Sequence, residues 1–170
     1  QVFLKGSSET IWQLKADAEN IRNTREAIEL IIQAIPGQRY ALRNELLDAF
    51  ENGDRRLDQW VSSVSDADNT VTLRYAHKYK ADINETQSLE YSIRFRAAEQ
   101  YLIRAEARVY LGDLNGALAD INALRTRAGL PDHNANTPET IMDAIFQERR
   151  IELFTEQGHR WFDLKRSGRA

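Results

Sequence analysis

The chain has 170 residues, of which 42% are hydrophobic and 29% charged, and its net charge is −3. This composition is typical of a folded globular protein of one domain or most of one, and it excludes a disordered chain. The acidic balance and the lack of any basic run longer than a pair argue against nucleic-acid binding. No apolar run approaches the roughly 18 residues that a membrane helix needs. The absence of cysteine excludes disulfides and thiolate chemistry.

The first half of the chain carries weak secondary-structure signals. Alternating polar and apolar residues predict a short strand over residues 9–14. An apolar run predicts a helix within residues 15–39, ended by Pro36 and the glycine after it. Helical spacing predicts a further helix over residues 40–50, and residues 71–75 have the pattern of a strand. We therefore expect an irregular region over the first ninety residues or so.

The pattern becomes clearly helical after about residue 90. Apolar residues recur at helical spacing over residues 97–111, and Gly112 ends this helix because a positive φ costs glycine little. Asp113 is placed to cap a second helix, which Gly129 closes.

A third helix begins at Thr137, with Pro138 at its first position, and Gly158 separates it from a short fourth helix. The short loops predict that consecutive helices are antiparallel neighbours. The sequence therefore predicts a mainly α fold of tetratricopeptide-like helix pairs, with a few short strands and long loops. We expect an irregular part over residues 1–90 and a helical scaffold over residues 91–170.

The densest group of charges lies in the third and fourth helices. Glu148 and Glu152 fall on or beside the apolar face, where a buried carboxylate needs a cationic partner. We predict that at least one of them forms a salt bridge with a neighbouring arginine. We assign a structural ion-pair network to these charged residues: Glu148, Glu152, Asp163, Arg125, Arg127, Arg150 and Arg160.

Catalytic and metal-binding interpretations of the charged residues are weaker. A carboxylate pair could serve a glycoside hydrolase, but surrounding arginines would lower the pKa that a catalytic acid needs raised. The three histidines are dispersed without the spacing of a metal site. No nucleotide-binding or serine-hydrolase motif occurs. We expect no catalytic residue, no metal and no cofactor.

Aromatic side chains are the remaining candidates for ligand binding, since sugars stack their apolar C–H faces on rings. Trp60 and Tyr40 fall near weakly patterned loops and are candidates for such contacts. Trp12 lies in an alternating strand, and Trp161 lies on a helix within the charged region. We predict that these two tryptophans belong to the core.

Three motifs occur in order in the second half of the chain. Residues 96–107 read R-x-A-E-x-Y-L-x-x-A-E-A, and residues 112–130 read G-D…A-L…I-N-x-x-R-x-R-A-G-L. Residues 148–166 read E-R-R-x-E-L…G-x-R-W-F-D-L-x-R. In these motifs the sequence resembles the SusD/RagB family of outer-membrane nutrient-binding lipoproteins.

The resemblance implies a function and a location. Such a protein sits at the outer-membrane surface through a lipid anchor, captures oligosaccharide or polysaccharide, and delivers it to a SusC-like TonB-dependent transporter without catalysing a reaction. It implies that loops after the first strand contact ligand, so that Asn23, Arg39 and Tyr40 join Trp60 as predicted ligand contacts. It also leads us to expect that the family's N-terminal helix pairs, lipid-attachment signal and C-terminal tail are absent from this sequence.

Two alternatives remain open at this point. A helical-repeat adaptor would bind a peptide or protein partner on an exposed apolar groove. A glycosidase would use the two glutamates of the third helix. A loop-built pocket with an aromatic ring and several hydrogen-bonding groups would favour sugar binding over both.

Overall fold

The computed structural model describes residues 2–15, 23–37 and 40–169 of the chain. These ranges contain seven helices and four short strands, so the mainly α fold class predicted from the sequence is confirmed. The longest of these helices have 15 residues, whereas a bilayer requires about 20. No helix in the described ranges is long and apolar enough to cross a membrane.

The contacts within the chain divide it into two compact units. Residues 1–50 and 55–95 form the first unit, and residues 51–54 and 96–170 form the second. The earlier part of the chain contains β1 (Thr10–Leu14), α1 (Arg25–Leu30), α2 (Asn44–Leu47), α3 (Arg55–Trp60), β2 (Val61–Ser65), β3 (Thr72–Ala76) and β4 (Ser92–Arg96). The second unit contains α4 (Ala97–Tyr110), α5 (Leu114–Ala128), α6 (Pro138–Glu152) and α7 (His159–Ser167).

Two small sheets organise the first unit. β1 pairs with β4, and β2 pairs with β3 in antiparallel register, with Val61 opposite Ala76 and Ser65 opposite Thr72. The strands β1 and β3 confirm the sequence predictions. β2 and β4 are absent from those predictions, because the serines of β2 resemble a loop and the long-range pairing that fixes β4 leaves no local signal.

The helices of the first unit are shorter than predicted. α1 begins after Thr24, whose hydroxyl accepts a hydrogen bond from the N–H of Ala27 at 3.1 Å, and it ends at Leu30, well before Pro36. The helix predicted over residues 40–50 is reduced to the single turn of α2. Isolated short helices are marginal in water, so tertiary packing rather than local spacing sets their length.

An aromatic cluster forms the core of the first unit. The ring of Phe3 lies 5.8 Å from that of Trp60, edge to face, and 4.9 Å from that of Tyr79, between ring centroids. The N–H of Ile93 in β4 donates a hydrogen bond to the hydroxyl of Tyr79 at 2.9 Å. All four side chains are buried. Through Tyr79, the ring contact of Phe3 and the hydrogen bond of Ile93 link the N-terminal segment to β4.

The caps predicted for the second unit are confirmed. Asp113 accepts a hydrogen bond from the N–H of Gly116 at 2.9 Å and starts α5. Gly129 ends α5 with a φ of 83°, a left-handed conformation that costs glycine little. Thr137 caps α6, with Pro138 at its first position. Local chemistry therefore determines where these helices begin and end.

Fully buried small residues let the helices of the second unit approach closely. Ala98 and Ala105 on α4 and Ala117 on α5 are inaccessible to solvent. Ile121 and Ile145 fill the space between α4, α5 and α6. The result is a stack of tetratricopeptide-like helix pairs, as the sequence predicts.

Candidate functional site

Trp60 lies in the core of the first unit. Its side chain is 6% exposed, its ring packs against that of Phe3, and the ammonium group of Lys78 lies 4.8 Å from its ring centroid. A sugar cannot stack on a ring that the protein already covers. The prediction of a ligand contact at Trp60 is therefore corrected: the residue is an aromatic core residue that lies beside a weakly patterned segment of the sequence.

Asn23 has a structural position as well. Its side-chain nitrogen donates a hydrogen bond to the carbonyl of Gln87 at 2.7 Å. Its side-chain oxygen accepts from the N–H groups of Leu89 and Glu90 at 2.8 and 3.0 Å. At 4% exposure, the amide ties its own segment to the chain before β4. The predicted ligand contact at Asn23 is corrected for this reason.

Tyr40 is the predicted ligand residue that the structure places at the surface. It is 61% exposed. The N–H of Leu42 donates to the carbonyl of Arg74 in β3 at 2.7 Å, which anchors the segment just after Tyr40. Arg39 lies outside the described residues, and its ligand contact stays a prediction.

An aromatic pair on the sheet formed by β1 and β4 is exposed, although Trp12, one of its two residues, was predicted to lie in the core. Trp12 on β1 is 51% exposed and Phe95 on β4 is 49% exposed. Their ring centroids lie 5.6 Å apart, and their planes are inclined by only 30°. The core assignment of Trp12 is corrected. In β1 apolar residues occupy both alternating positions, because Ile11 precedes Trp12, so alternation alone does not identify the buried face.

Trp161 on α7 is also exposed, at 59%, and its core assignment is corrected. Phe162 beside it is 62% exposed. The ammonium group of Lys165 lies 5.1 Å from the centroid of the Trp161 ring. α7 buries its acidic Asp163 instead of its aromatic residues, because that carboxylate forms ion pairs inside the second unit.

The predicted salt bridge at Glu152 is present. Glu152 also pairs with Arg96, a residue that the sequence prediction did not include. Glu152 is fully buried and forms ion pairs with Arg127 and with Arg96, the latter at 2.5 Å. Arg96 also donates from Nε to Glu156 at 2.7 Å. Burial alone would lower the pKa of Arg96, but the carboxylates of Glu156 and Glu152 outweigh it and raise that pKa. Arg96 is therefore a permanently charged, buried anchor.

The other glutamate of α6 is buried beside a second arginine. Glu148 lies 3.8 Å from Arg125, and Arg125 pairs more closely with Glu51 at 2.5 Å. Because both α6 glutamates are buried among arginines, a substrate cannot reach them. This arrangement does not supply the accessible pair of carboxyl groups that glycoside hydrolysis requires.

Asp163 links α6 to α7. It accepts a hydrogen bond from Arg149 at 2.7 Å, and both side chains are 6% exposed. It also accepts from Arg166 at 2.9 Å. The pKa of Arg160 is lowered, first by partial burial of its guanidinium and then by the positive charge of Arg150. The network thus joins Asp163 to Arg149, a residue that the sequence prediction did not include.

Two partly buried histidines predict a loss of stability in mild acid. Burial lowers the pKa of His77, and it lowers that of His159 although the carboxylate of Glu99 lies 3.7 Å away. Histidine in an unfolded chain titrates near pH 6.5. As the pH falls, the unfolded state therefore takes up protons first, so the contribution of these histidines to stability is complete above about pH 6.5 and declines below it.

We accordingly expect the Tm to fall between about pH 7.5 and about pH 5.5, with a smaller fall in the His77→Gln/His159→Gln double variant. Thermal unfolding followed by circular dichroism measures the slope of Tm against pH for the wild-type chain and for the double variant. Equal slopes in the two proteins would refute the assignment to these histidines.

The described part of the chain contains no group of three or more side chains suited to hold a metal ion.

Comparison with known proteins decides the family. Residues 34–170 match the sequence pattern that defines the SusD family. The chain belongs to the SusD family. A SusD-like protein of Formosa agariphila, P38, is 34% identical over 129 residues, which make up 69% of this chain and 25% of that protein.

Solved SusD-family structures share the fold. A SusD homolog from Bacteroides thetaiotaomicron superposes with a TM-score of 0.74 at 26% identity, over 99% of this chain and 39% of the homolog. A SusD-like carbohydrate binding protein from Bacteroides vulgatus superposes with a TM-score of 0.58 at 25% identity, over 71% of this chain and 26% of that protein. This SusD-family chain therefore spans well under half the length of these relatives.

Proposed function

We propose that this SusD-family chain is a non-catalytic binding module that captures oligosaccharide or polysaccharide at the cell surface. The observation that carries the proposal is the exposed aromatic pair Trp12 and Phe95 in a chain of this family. The family includes a carbohydrate-binding relative from Bacteroides vulgatus at 25% identity. Exposed aromatic rings are the side chains on which sugars stack.

The geometry of the pair suits a flexible glycan. Both rings are about half exposed, and backbone pairing between β1 and β4 fixes their spacing of 5.6 Å. Rings that are already held in place lose little entropy on binding, so more of the stacking energy appears as affinity. Tyr40, in the same unit and 61% exposed, is a third ring available for stacking.

The proposal extends to the fate of the captured glycan. Delivery of the glycan to a SusC-like TonB-dependent transporter, at an outer membrane where a lipid anchor holds the protein, is the role that family membership supports. We propose that the chain corresponds to the C-terminal part of the family fold. Because Glu148 and Glu152 are buried among arginines, the bound glycan should leave the protein uncut.

Replacing Trp12 with alanine is the test. Titration calorimetry with a glycan that binds the wild-type chain should show at least about tenfold weaker binding, which corresponds to ~1.4 kcal/mol. Phe162→Ala, which removes an equally exposed aromatic residue of the second unit, should leave the affinity unchanged. Undiminished binding by Trp12→Ala would show that the aromatic pair is not the site.

A helical-repeat adaptor is the second candidate, and the exposed aromatic residues of α7 favour it. Trp161 and Phe162 are both exposed, and apolar side chains of this kind suit a protein partner. Under this alternative, Trp161→Ala and Phe162→Ala would abolish binding of a protein partner, and Trp12→Ala would have no functional effect.

A further inference from the structure

A groove opens in the second unit between the end of α4 and the beginning of α6. Its volume is about 480 Å³, within the range of pockets that hold small ligands. It combines an aromatic ring, an apolar floor and three charged groups. The lining includes Tyr110, Pro138, Met142, Glu139, Asp143 and Arg169.

The ring and the charged groups of the groove are accessible. Tyr110 is 77% exposed. The side chains of Asp143 and Arg169 are 65% and 44% exposed, although they form an ion pair with each other. The guanidinium of Arg169 also lies 4.6 Å from the ring centroid of Phe146, which holds it at the edge of the groove. The groove thus presents a fixed donor, two carboxylate acceptors and an accessible aromatic ring.

We propose that this groove is a second saccharide-binding site, which takes one or two neutral sugar units. The inference rests on the proposed function, since it assumes that the chain binds glycans. A sugar ring would stack on Tyr110, while its hydroxyls donate to Glu139 and Asp143 and accept from Arg169. A saccharide has both hydroxyl donors and oxygen acceptors, so it can hydrogen bond to the carboxylates and the guanidinium together.

The charges of the groove favour a neutral ligand over a charged one. Glu139 and Asp143 outnumber the single cation Arg169, so an acidic sugar or a phosphate would meet net repulsion. A cationic ligand that paired with Asp143 would have to compete with Arg169, which already forms an ion pair with that carboxylate. A neutral saccharide meets neither penalty.

The two proposed sites lie in different units of the protein, which matters for a long glycan. The aromatic pair Trp12 and Phe95 belongs to the first unit, whereas the groove belongs to the second. A polysaccharide offers many equivalent segments, and one polysaccharide molecule that engaged both sites at once would bind with higher avidity.

Nuclear magnetic resonance titration of the 170-residue chain tests the groove directly. The probes are neutral hexasaccharides (maltohexaose, cellohexaose, xylohexaose and mannohexaose), with an oligogalacturonate as the acidic comparison. We expect at least one neutral probe to shift the backbone resonances of Tyr110 and of the first turns of α6. Tyr110→Leu should weaken this binding by about tenfold, or ~1.4 kcal/mol, and Tyr110→Phe, which keeps the ring, should preserve it.

Leu111→Ala is the matched control, because Leu111 is 84% exposed beside Tyr110 and does not line the groove. Glycan-induced shifts found only outside the groove would overturn the groove while leaving the proposed function intact, since a glycan would then bind elsewhere. Undiminished affinity at the groove in Tyr110→Leu would overturn the stacking of a sugar on Tyr110. Shifts caused only by the oligogalacturonate would overturn the assignment to neutral sugars. No binding of any probe would overturn the groove together with the proposed function.

Discussion

Replacing Glu152 with alanine is expected to lower the free energy of unfolding by about 3 kcal/mol, the low end of the cost of breaking a buried ion pair. Arg96 is 1% exposed and would keep its charge in the interior after losing this partner. Glu156 would still pair with it at 2.7 Å, which is why we expect the low end. Arg127 is 29% exposed and can be hydrated instead.

Urea unfolding followed by circular dichroism measures this loss. The control is Asp143→Ala, which breaks an ion pair with Arg169 whose side chains are 65% and 44% exposed. Such surface pairs contribute less than about 1 kcal/mol. If both variants lost the same stability, the burial of the Arg96 and Glu152 pair would have no energetic role.

Replacing Asp163 with alanine is expected to lower the free energy of unfolding by about 3 kcal/mol and to weaken the packing of α7 on α6. The loss leaves the guanidinium of Arg149, 6% exposed, without the carboxylate that lies 2.7 Å away. Arg166 keeps its second ion pair, with Glu106 on α4. The loss of stability should therefore arise mainly at the contact between α6 and α7.

Hydrogen exchange distinguishes this effect from general destabilisation. Amides of α7 should exchange faster in Asp163→Ala than in the wild-type chain, while those of α5 change less. Asp163→Asn keeps an acceptor for Arg149 and should lose less stability than the alanine variant. A uniform increase in exchange across all four helices would contradict a local role for Asp163.

The helices of the second unit could be predicted because their boundaries depend on local chemistry. Asp113 and Thr137 cap the helices that begin after them, and Gly129 supplies the positive φ that ends α5. Each of these signals is contained within a few residues of sequence. The three motifs that identify the family lie in the same region.

The first unit was harder to predict because its structure depends on contacts between distant residues. β1 pairs with β4, which lies nearly the length of the unit away along the chain, so neither strand needs a strong local pattern. Asn23 hydrogen bonds to backbone groups more than 60 residues away. Residue type alone made Asn23 and Trp60 resemble ligand groups, whereas burial gives them structural roles.

The exposed aromatic pair was missed for a related reason. An alternating strand identifies two faces but does not show which face the rest of the protein covers. Of the two arginine partners of Glu152, Arg127 was predicted and Arg96 was missed. Arg96 lies 56 residues earlier in the chain, and only the fold brings the two charges together.

Affinity electrophoresis of the wild-type chain tests the glycan-binding role most directly. Native gels are cast with individual polysaccharides (starch, xylan, mannan, laminarin, pectin and alginate), and a protein that does not bind glycans serves as the mobility reference. We predict that at least one polysaccharide slows the chain relative to that reference. Unchanged mobility in every gel would contradict the assignment of this chain as a glycan-binding module.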